Sequence, residues 1–248
     1  MYYYSPYFIG YPVNQKNERF SNTDSEERFN RLQTSMGKSW TYNTTNVTYN
    51  RNSYGHRSSE ISELNLDNYI LVTGCSLTEG IAIPEESRYG NLLSNMLNCD
   101  VYNLGLGATG NDIIFYNLVS WFGIVKQKPK LVIIQWTGES RYSILNKNSV
   151  YVHGPWEDKS QIFLVEGFEN KYFESKSIML GQLIKKIIDV PIIEVFPVNL
   201  IKNQGEKSPY KISLTANDFG RDLMHPGIES NKSLAKRIHD LIEQEKIL

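Results

Sequence analysis

Two short stretches of this chain hold residue types that nucleophilic chemistry needs. The first is Gly74-Cys75-Ser76-Leu77-Thr78-Glu79-Gly80, directly after the apolar run Tyr69–Thr73. A serine just past a buried strand, flanked by glycines, stands at the carboxyl edge of a parallel sheet, where open α/β sheets bind their ligands. If a helix or tight loop begins there, the Ser76 N–H points outward and can serve an oxyanion. Taken alone, the same residues also make a plain Gly-Ser turn linking strand to helix. The second stretch is Asp222-Leu-Met-His225-Pro226. An aspartate and a histidine three residues apart on a tight turn let the carboxylate reach Nδ1 and leave Nε2 free to take a proton from a serine. Pro226 then suits the first position of a final helix, although Asp-x-x-His also occurs as an ordinary helix cap. The other histidines are placed less well: His239 in an amphipathic helix, His153 in an irregular insertion, His56 in the N-terminal region.

The elements that must carry these residues follow from hydrophobic periodicity. From Asn68 onward short aliphatic runs alternate with longer amphipathic segments, the pattern of βαβ units around a parallel sheet. The runs 69–73, 101–104, 131–135 and 192–196 are expected as strands, and 84–97, 110–126, 171–189 and 228–245 as helices. Pro84 followed by Glu85 and Glu86 makes a good helix start, since proline fits the first turn and acids favour the positive dipole end. Pro129 and Pro191 stop the helices that precede two strands. Residues 150–168 read as an insertion or hairpin. No internal repeat or low-complexity tract is visible.

Residues 1–65 differ: they are rich in Tyr, Asn, Ser and Arg and poor in aliphatic side chains. They are expected as an extension that packs on the main unit, 66–248, or on a partner, because they cannot bury a core alone. One helix is expected near Asp24–Leu32, Thr45–Tyr49 alternates as an edge strand would, and Asn52–Arg57 reads as a turn with Gly55. This piece is expected near the catalytic edge, with Arg57 either anchoring it or meeting an anionic group. Tyr2, Tyr3, Tyr4 and Tyr7 suit an interface in an oligomer or particle.

With 248 residues, 40% hydrophobic and 21% charged, the chain can build one sizeable α/β core. A net charge of −1 without a long basic block argues against nucleic acid. The Lys185–Lys186 pair reads as a solvated helix face. Two cysteines and four scattered histidines give neither a disulfide framework nor a metal-ligand pattern, so no cofactor is expected. The aromatic start lacks a basic n-region and apolar run, and no stretch reaches membrane-spanning length; a cytoplasmic or particle-associated protein is expected. Asn43, Asn46 and Asn231 head glycosylation-like triplets that read as chance matches.

The two chemical stretches, in this order and at these strand ends, resemble the blocks of the SGNH/GDSL hydrolases. That family shows G-D-S-x-x-x-G after the first strand, a glycine after the second, G-x-N-D after the third and D-x-x-H before the last helix. GCSLTEG and DLMH match the first and last. Phage-encoded members with a G-C-S-F-T-x-G block are similar in detail, and Asn52-Ser-Tyr-Gly-His-Arg57 matches the N-S-x-G-x-R segment often preceding it. The resemblance covers about residues 45–245. It implies a three-layer α/β/α fold with a mainly parallel, flavodoxin-like sheet, and an esterase with Ser76 as nucleophile, His225 as base and Asp222 behind it. A small acyl ester, such as a carbohydrate O-acetyl group, is the implied substrate, with transfer to a sugar as an alternative to hydrolysis. Three positions depart from the blocks. Cys75 replaces the aspartate beside the serine and reads as a free buried cysteine. The oxyanion glycine falls at Ala108, one residue after Gly107. Gly138 stands where the oxyanion-donating asparagine belongs, so Thr137 or Asn111 would have to replace it, although Asn111 also reads as a helix N-cap. Arg141 is a candidate for an anionic part of the substrate. The rival expectation is a weak or inactive glycan-binding or structural module on the same fold.

Overall fold

The computed structural model describes residues 3–4, 7–138, 141–146, 149–154, 170–197 and 210–248. In chain order the strands are β1 (Tyr3–Tyr4), β2 (Ile9–Gly10), β3 (Tyr69–Thr73), β4 (Asp100–Asn103), β5 (Leu131–Gln135), β6 (Tyr142–Asn146), β7 (Ser149–His153), β8 (Ile192–Pro197) and β9 (Lys211–Leu214). The helices are α1 (Glu26–Met36), α2 (Ser76–Glu79), α3 (Tyr89–Leu97), α4 (Asn111–Ile124), α5 (Asn170–Ile187) and α6 (Ile228–Glu245).

Five strands pair in parallel in the order β4-β3-β5-β8-β9. This is the doubly wound order in which the chain moves outward in opposite directions from β3, leaving a crevice at the carboxyl ends of β3 and β5. Strand alternation sorts the core into two layers. On one face Tyr69, Leu71, Val132 and Ile134 pack with Ile114, Leu118 and Trp121 of α4 and Ile184 of α5. On the other, Ile70, Val72, Leu131, Ile133, Ile193 and Val195 meet Tyr89 and Leu93 of α3 and Leu234, Ile238 and Ile242 of α6. The four-residue spacing of those α6 residues is what turns one helical stripe to the sheet. Each buried aliphatic side chain contributes about 1.5–3 kcal/mol. The fold is therefore a three-layer α/β/α sandwich with a parallel sheet, as expected.

Several local expectations need correction. The sheet has a fifth strand, β9, beyond the four expected; Lys211-Ile-Ser-Leu214 at the sheet edge lacks the continuous apolar run that would mark it. Pro84 opens only a single 3₁₀ turn, Glu85–Ser87, and α3 begins afresh at Tyr89. Pro226 precedes the helix rather than opening it: Gly227 is the N-cap, and Pro226 pairs with Phe219 in an isolated bridge. Residues 45–48 form no strand, and Tyr49 makes only an isolated bridge to Glu18. The expected insertion begins as the β6–β7 hairpin, while residues 155–169 lie outside the described residues. Tyr7 is half exposed, and the side chains of Tyr2, Tyr3 and Tyr4 lie outside the described set.

The segment before β3 lies against the sheet unit. Ile9 exchanges backbone hydrogen bonds with the buried amide of Asn117 in α4. The helix expected near Asp24–Leu32 is α1, capped by Ser25, whose Oγ accepts from Arg28 N at 3.2 Å. Arg57 ties this segment to the sheet unit by donating to the carbonyls of Gly80 and Ile83, and donates to that of Thr48 as well. Arg221 and Asp24 form a buried ion pair at 2.6 Å. No helix among the described residues is long and apolar enough to cross a membrane.

Candidate active site

Ser76 is delivered by an abrupt strand-to-helix turn. At Gly74 a Cβ would lie 2.2 Å from Thr78 Oγ1 and 2.8 Å from Gln135 Cβ, so only glycine fits between β3 and β5. Cys75 is free and buried, with its N–H and Sγ directed at Gln135 Oε1, at 3.1 and 3.3 Å. Ser76 then begins the single turn of α2, which closes at left-handed Gly80 (φ 80°). Its Oγ has only a long contact to Cys75 Sγ, 3.9 Å, and its N–H, at the first helical position, has no partner among the described residues.

The loop after β4 lies against this turn. Leu106 N donates to Gly74 O at 3.1 Å, and Asn103 Nδ2 to Thr78 O at 2.6 Å. The two oxyanion candidates here differ in availability. Gly107 N–H is already directed at Glu79 Oε2, at 2.6 Å. Ala108, half-buried and left-handed at φ 62°, keeps an N–H without a partner among the described residues.

The loop after β9 carries the base. Asp222 is fully buried, and its Oδ2 lies 2.7 Å from His225 Nδ1. The same Oδ2 accepts from Thr23 Oγ1 at 2.7 Å, while Oδ1 accepts from the backbone N–H groups of Met224 and His225 at 2.9 and 3.1 Å. Burial pushes the Asp222 carboxyl up, but the hydrogen bond and charge of His225, with those from Thr23 and Met224 N, outweigh it and hold the group well below the usual carboxylate range. The turn is tight enough to put Leu223 in the left-handed region at φ 52°, a conformation that costs a branched residue energy and must be held by its surroundings.

Because β3 and β9 belong to one parallel sheet, Ser76 and His225 stand at the same, carboxyl edge. Two main-chain hydrogen bonds tie their loops: Ile81 N to Ser76 O at 3.0 Å, and Arg221 N to Ala82 O at 2.8 Å. Ser76 Oγ and His225 make no direct hydrogen bond with each other.

The corner after β5 is different. The Asn111 amide clamps the backbone of Thr137: Oδ1 accepts from Thr137 N at 3.0 Å, and Nδ2 donates to Thr137 O at 3.3 Å and Ser177 Oγ at 3.0 Å. Asn111 is thus neither the helix N-cap, which is Gly110, nor an open oxyanion donor. Thr137 is buried, and its hydroxyl makes no hydrogen bond among the described residues. Gly138 O accepts from Arg141 N at 3.3 Å, and Arg141 opens the β6–β7 hairpin beside Gly110.

Thr23, Glu79 and Arg51 went unnoticed in the sequence. Glu79, fully buried, pairs with Arg51 at 3.1 Å. No spacing signals these contacts, because Thr23 and Asp222 are 199 positions apart. His56 is buried against Tyr102, its Nδ1 3.2 Å from the phenol oxygen, and burial lowers its pKa to about 4. His153 stacks on Tyr142, and His239 is half-buried on α6.

No family model and no curated protein matches this chain. Solved structures that match it include an acetyl xylan esterase (Est2A) from the rumen bacterium Butyrivibrio proteoclasticus, at 16% identity and TM-score 0.47, over 72% of this chain and 64% of that one. A family two carbohydrate esterase from Clostridium thermocellum matches at 17% identity and TM-score 0.45, over 73% and 65%. Esterase EstA from Pseudoalteromonas sp. matches at 14% identity and TM-score 0.43, over 72% and 98%. This chain spans just under two thirds of the length of the first two. At these values the likeness assigns no chemistry, which rests on the chain's own residues.

Proposed function

We propose that this protein is a serine ester hydrolase of the SGNH/GDSL type, with Ser76, His225 and Asp222 as its catalytic triad. The observation that carries the reading is the 2.7 Å contact between Asp222 and His225 Nδ1, at the same sheet edge as a serine with an uncommitted hydroxyl. Asp222 fixes the tautomer that carries the proton on Nδ1, so Nε2 can take the Ser76 proton as Oγ attacks the ester carbonyl. The oxyanion that forms is met by the N–H groups of Ser76 and Ala108. Collapse expels the alcohol, protonated by His225. Water, activated by the same imidazole, then releases the acid from Ser76.

The motif resemblance supports a small acyl ester on a carbohydrate as substrate, and the same acyl-serine could pass its acyl group to a sugar hydroxyl. With Gly138 at the asparagine position and Asn111 committed to Thr137, the hole has backbone donors but no side-chain amide among the described residues. Loss of one donor lowers turnover by about 10²–10³-fold, so slow hydrolysis of generic nitrophenyl acetate follows. The same gap favours the rival reading, a glycan-binding module without turnover. In either reading residues 1–65 are an extension that completes the unit 66–248.

A fluorophosphonate probe separates the two. Peptide mapping is expected to find the label on Ser76, with none taken up by Ser76→Ala. A folded wild-type chain that never labels would leave the binding module as the surviving reading.

A further inference from the structure

Glu79 ends the helical turn that Ser76 begins, and it is fully buried. A carboxylate removed from water is costly unless it is paired and hydrogen-bonded. Here both oxygens have partners. Oε1 accepts from Arg51 Nη2 at 3.1 Å, and Oε2 accepts from Tyr11 OH at 3.1 Å and Gly107 N at 2.6 Å. Arg51 is itself buried. Its Nη1 donates to Gln15 Oε1 at 2.9 Å, its Nη2 to Ser21 Oγ at 2.7 Å, and its guanidinium lies 4.0 Å over the Tyr11 ring. Stability alone is a poor reason for such a pair, since well-packed apolar residues of equal volume often do as well. What an apolar residue cannot do is accept the Gly107 N–H.

That N–H sits one residue before Ala108, whose left-handed backbone is strained for a residue with a Cβ and whose own N–H is open. The clamp reaches across a close junction: a Cβ on Gly105 would lie 2.5 Å from Glu79 N. Resting on the hydrolase reading above, we propose that Glu79 is a positioning residue for the oxyanion hole. Its carboxylate clamps Gly107 so that the Ala108 N–H stands opposite the Ser76 N–H, and Arg51, delivered by the segment before β3, holds the carboxylate in place. One short helical turn thus carries the nucleophile at its start and the clamp for the second donor at its end.

The test uses the full chain with Glu79→Ala and Glu79→Gln. Two readouts are followed, steady-state hydrolysis of nitrophenyl acetate and the Gly107 amide in a proton–nitrogen NMR spectrum. In the wild type that amide is expected far downfield and slow to exchange. In Glu79→Ala it moves upfield and exchanges freely, while kcat falls about 100-fold with KM within about twofold, the signature of a misplaced donor. Glu79→Gln keeps an acceptor and recovers kcat to within about tenfold of the wild type. Should Glu79→Ala not fold, the partial loss and intermediate amide shift of Glu79→Gln decide the matter. A folded Glu79→Ala that turns over at the wild-type rate overturns the proposal, as does a freely exchanging Gly107 amide in the wild type. A wild type that does not hydrolyse or label overturns the hydrolase reading instead, and the amide readout still decides whether the clamp exists.

Discussion

The carboxyl edge of the sheet has two corners that look equally polar in sequence and differ in what their polar atoms do. In the corner of Ser76, Ala108 and His225, the N–H groups of Ser76 and Ala108 have no partner among the described residues and the Ser76 hydroxyl has one long contact, while the carboxylates behind them are well held: Asp222 has four contacts and Glu79 three. In the corner of Asn111 and Thr137, side-chain amide and backbone consume each other. A polar residue at an active edge is therefore not evidence of a role until its partners are counted. The open corner is expected to govern rate and the closed one stability.

The sharpest way to break this contrast is Ser76→Ala. Among the described residues its hydroxyl has only the 3.9 Å contact to Cys75, so the stability change should stay within about 0.5 kcal/mol while hydrolysis falls by at least about 10³-fold. Denaturant titration and initial rates on one preparation measure both, and a large loss of stability would mean that Ser76 belongs to the closed kind.

The segment before β3 adjoins the open corner through Thr23 and Arg51, and His56 makes its packing sensitive to pH. Burial lowers its folded pKa to about 4, so the native state holds it neutral while the unfolded chain binds a proton at an ordinary value near 6.5. Its contribution is complete above about pH 6.5 and is lost as pH falls toward 4, by about 3 kcal/mol. Urea midpoints between pH 8 and pH 4 should show this loss, and His56→Gln should flatten it.

Asn111→Ala tests the closed corner. It leaves Thr137 N and O without their buried partner and should cost about 2 kcal/mol, a fall of about 4–8 °C in melting midpoint. Turnover per folded molecule should stay within about threefold of the wild type; a 100-fold loss would instead make Asn111 the missing oxyanion donor. The smallest effect belongs to Thr23→Val, which removes one of four contacts to Asp222. A kcat about tenfold lower, restored by Thr23→Ser, is expected, because the remaining contacts still hold the carboxylate. Rates unchanged in Thr23→Val would show that the segment before β3 covers the dyad without ordering it.

Much of the fold was legible because local pattern and global packing agree. The strands Tyr69–Thr73 and Leu131–Gln135 and the helix Ile228–Glu245 coincide with the expected spans, each marked by an apolar run or stripe. β9 escaped notice because Lys211-Ile-Ser-Leu214 looks like a strand only once β8 is beside it. The Asp222–His225 contact was legible as well, since three residues on one turn fix that geometry locally.

The sequence by itself thus marked four of the five strands of the sheet and the helices between them, and placed a serine and an Asp-His pair at strand ends. Only the tertiary structure decided which N–H groups stay open: Gly107 and Ala108 are neighbours, yet a carboxylate from α2 engages one and leaves the other. It alone brought Thr23 to Asp222 and Arg51 to Glu79. The reason is physical. Periodicity and turn chemistry act over a few residues and are written in local spacing. The partner of a buried polar atom is whatever the folded chain brings within 3 Å of it, and no spacing along the sequence records that.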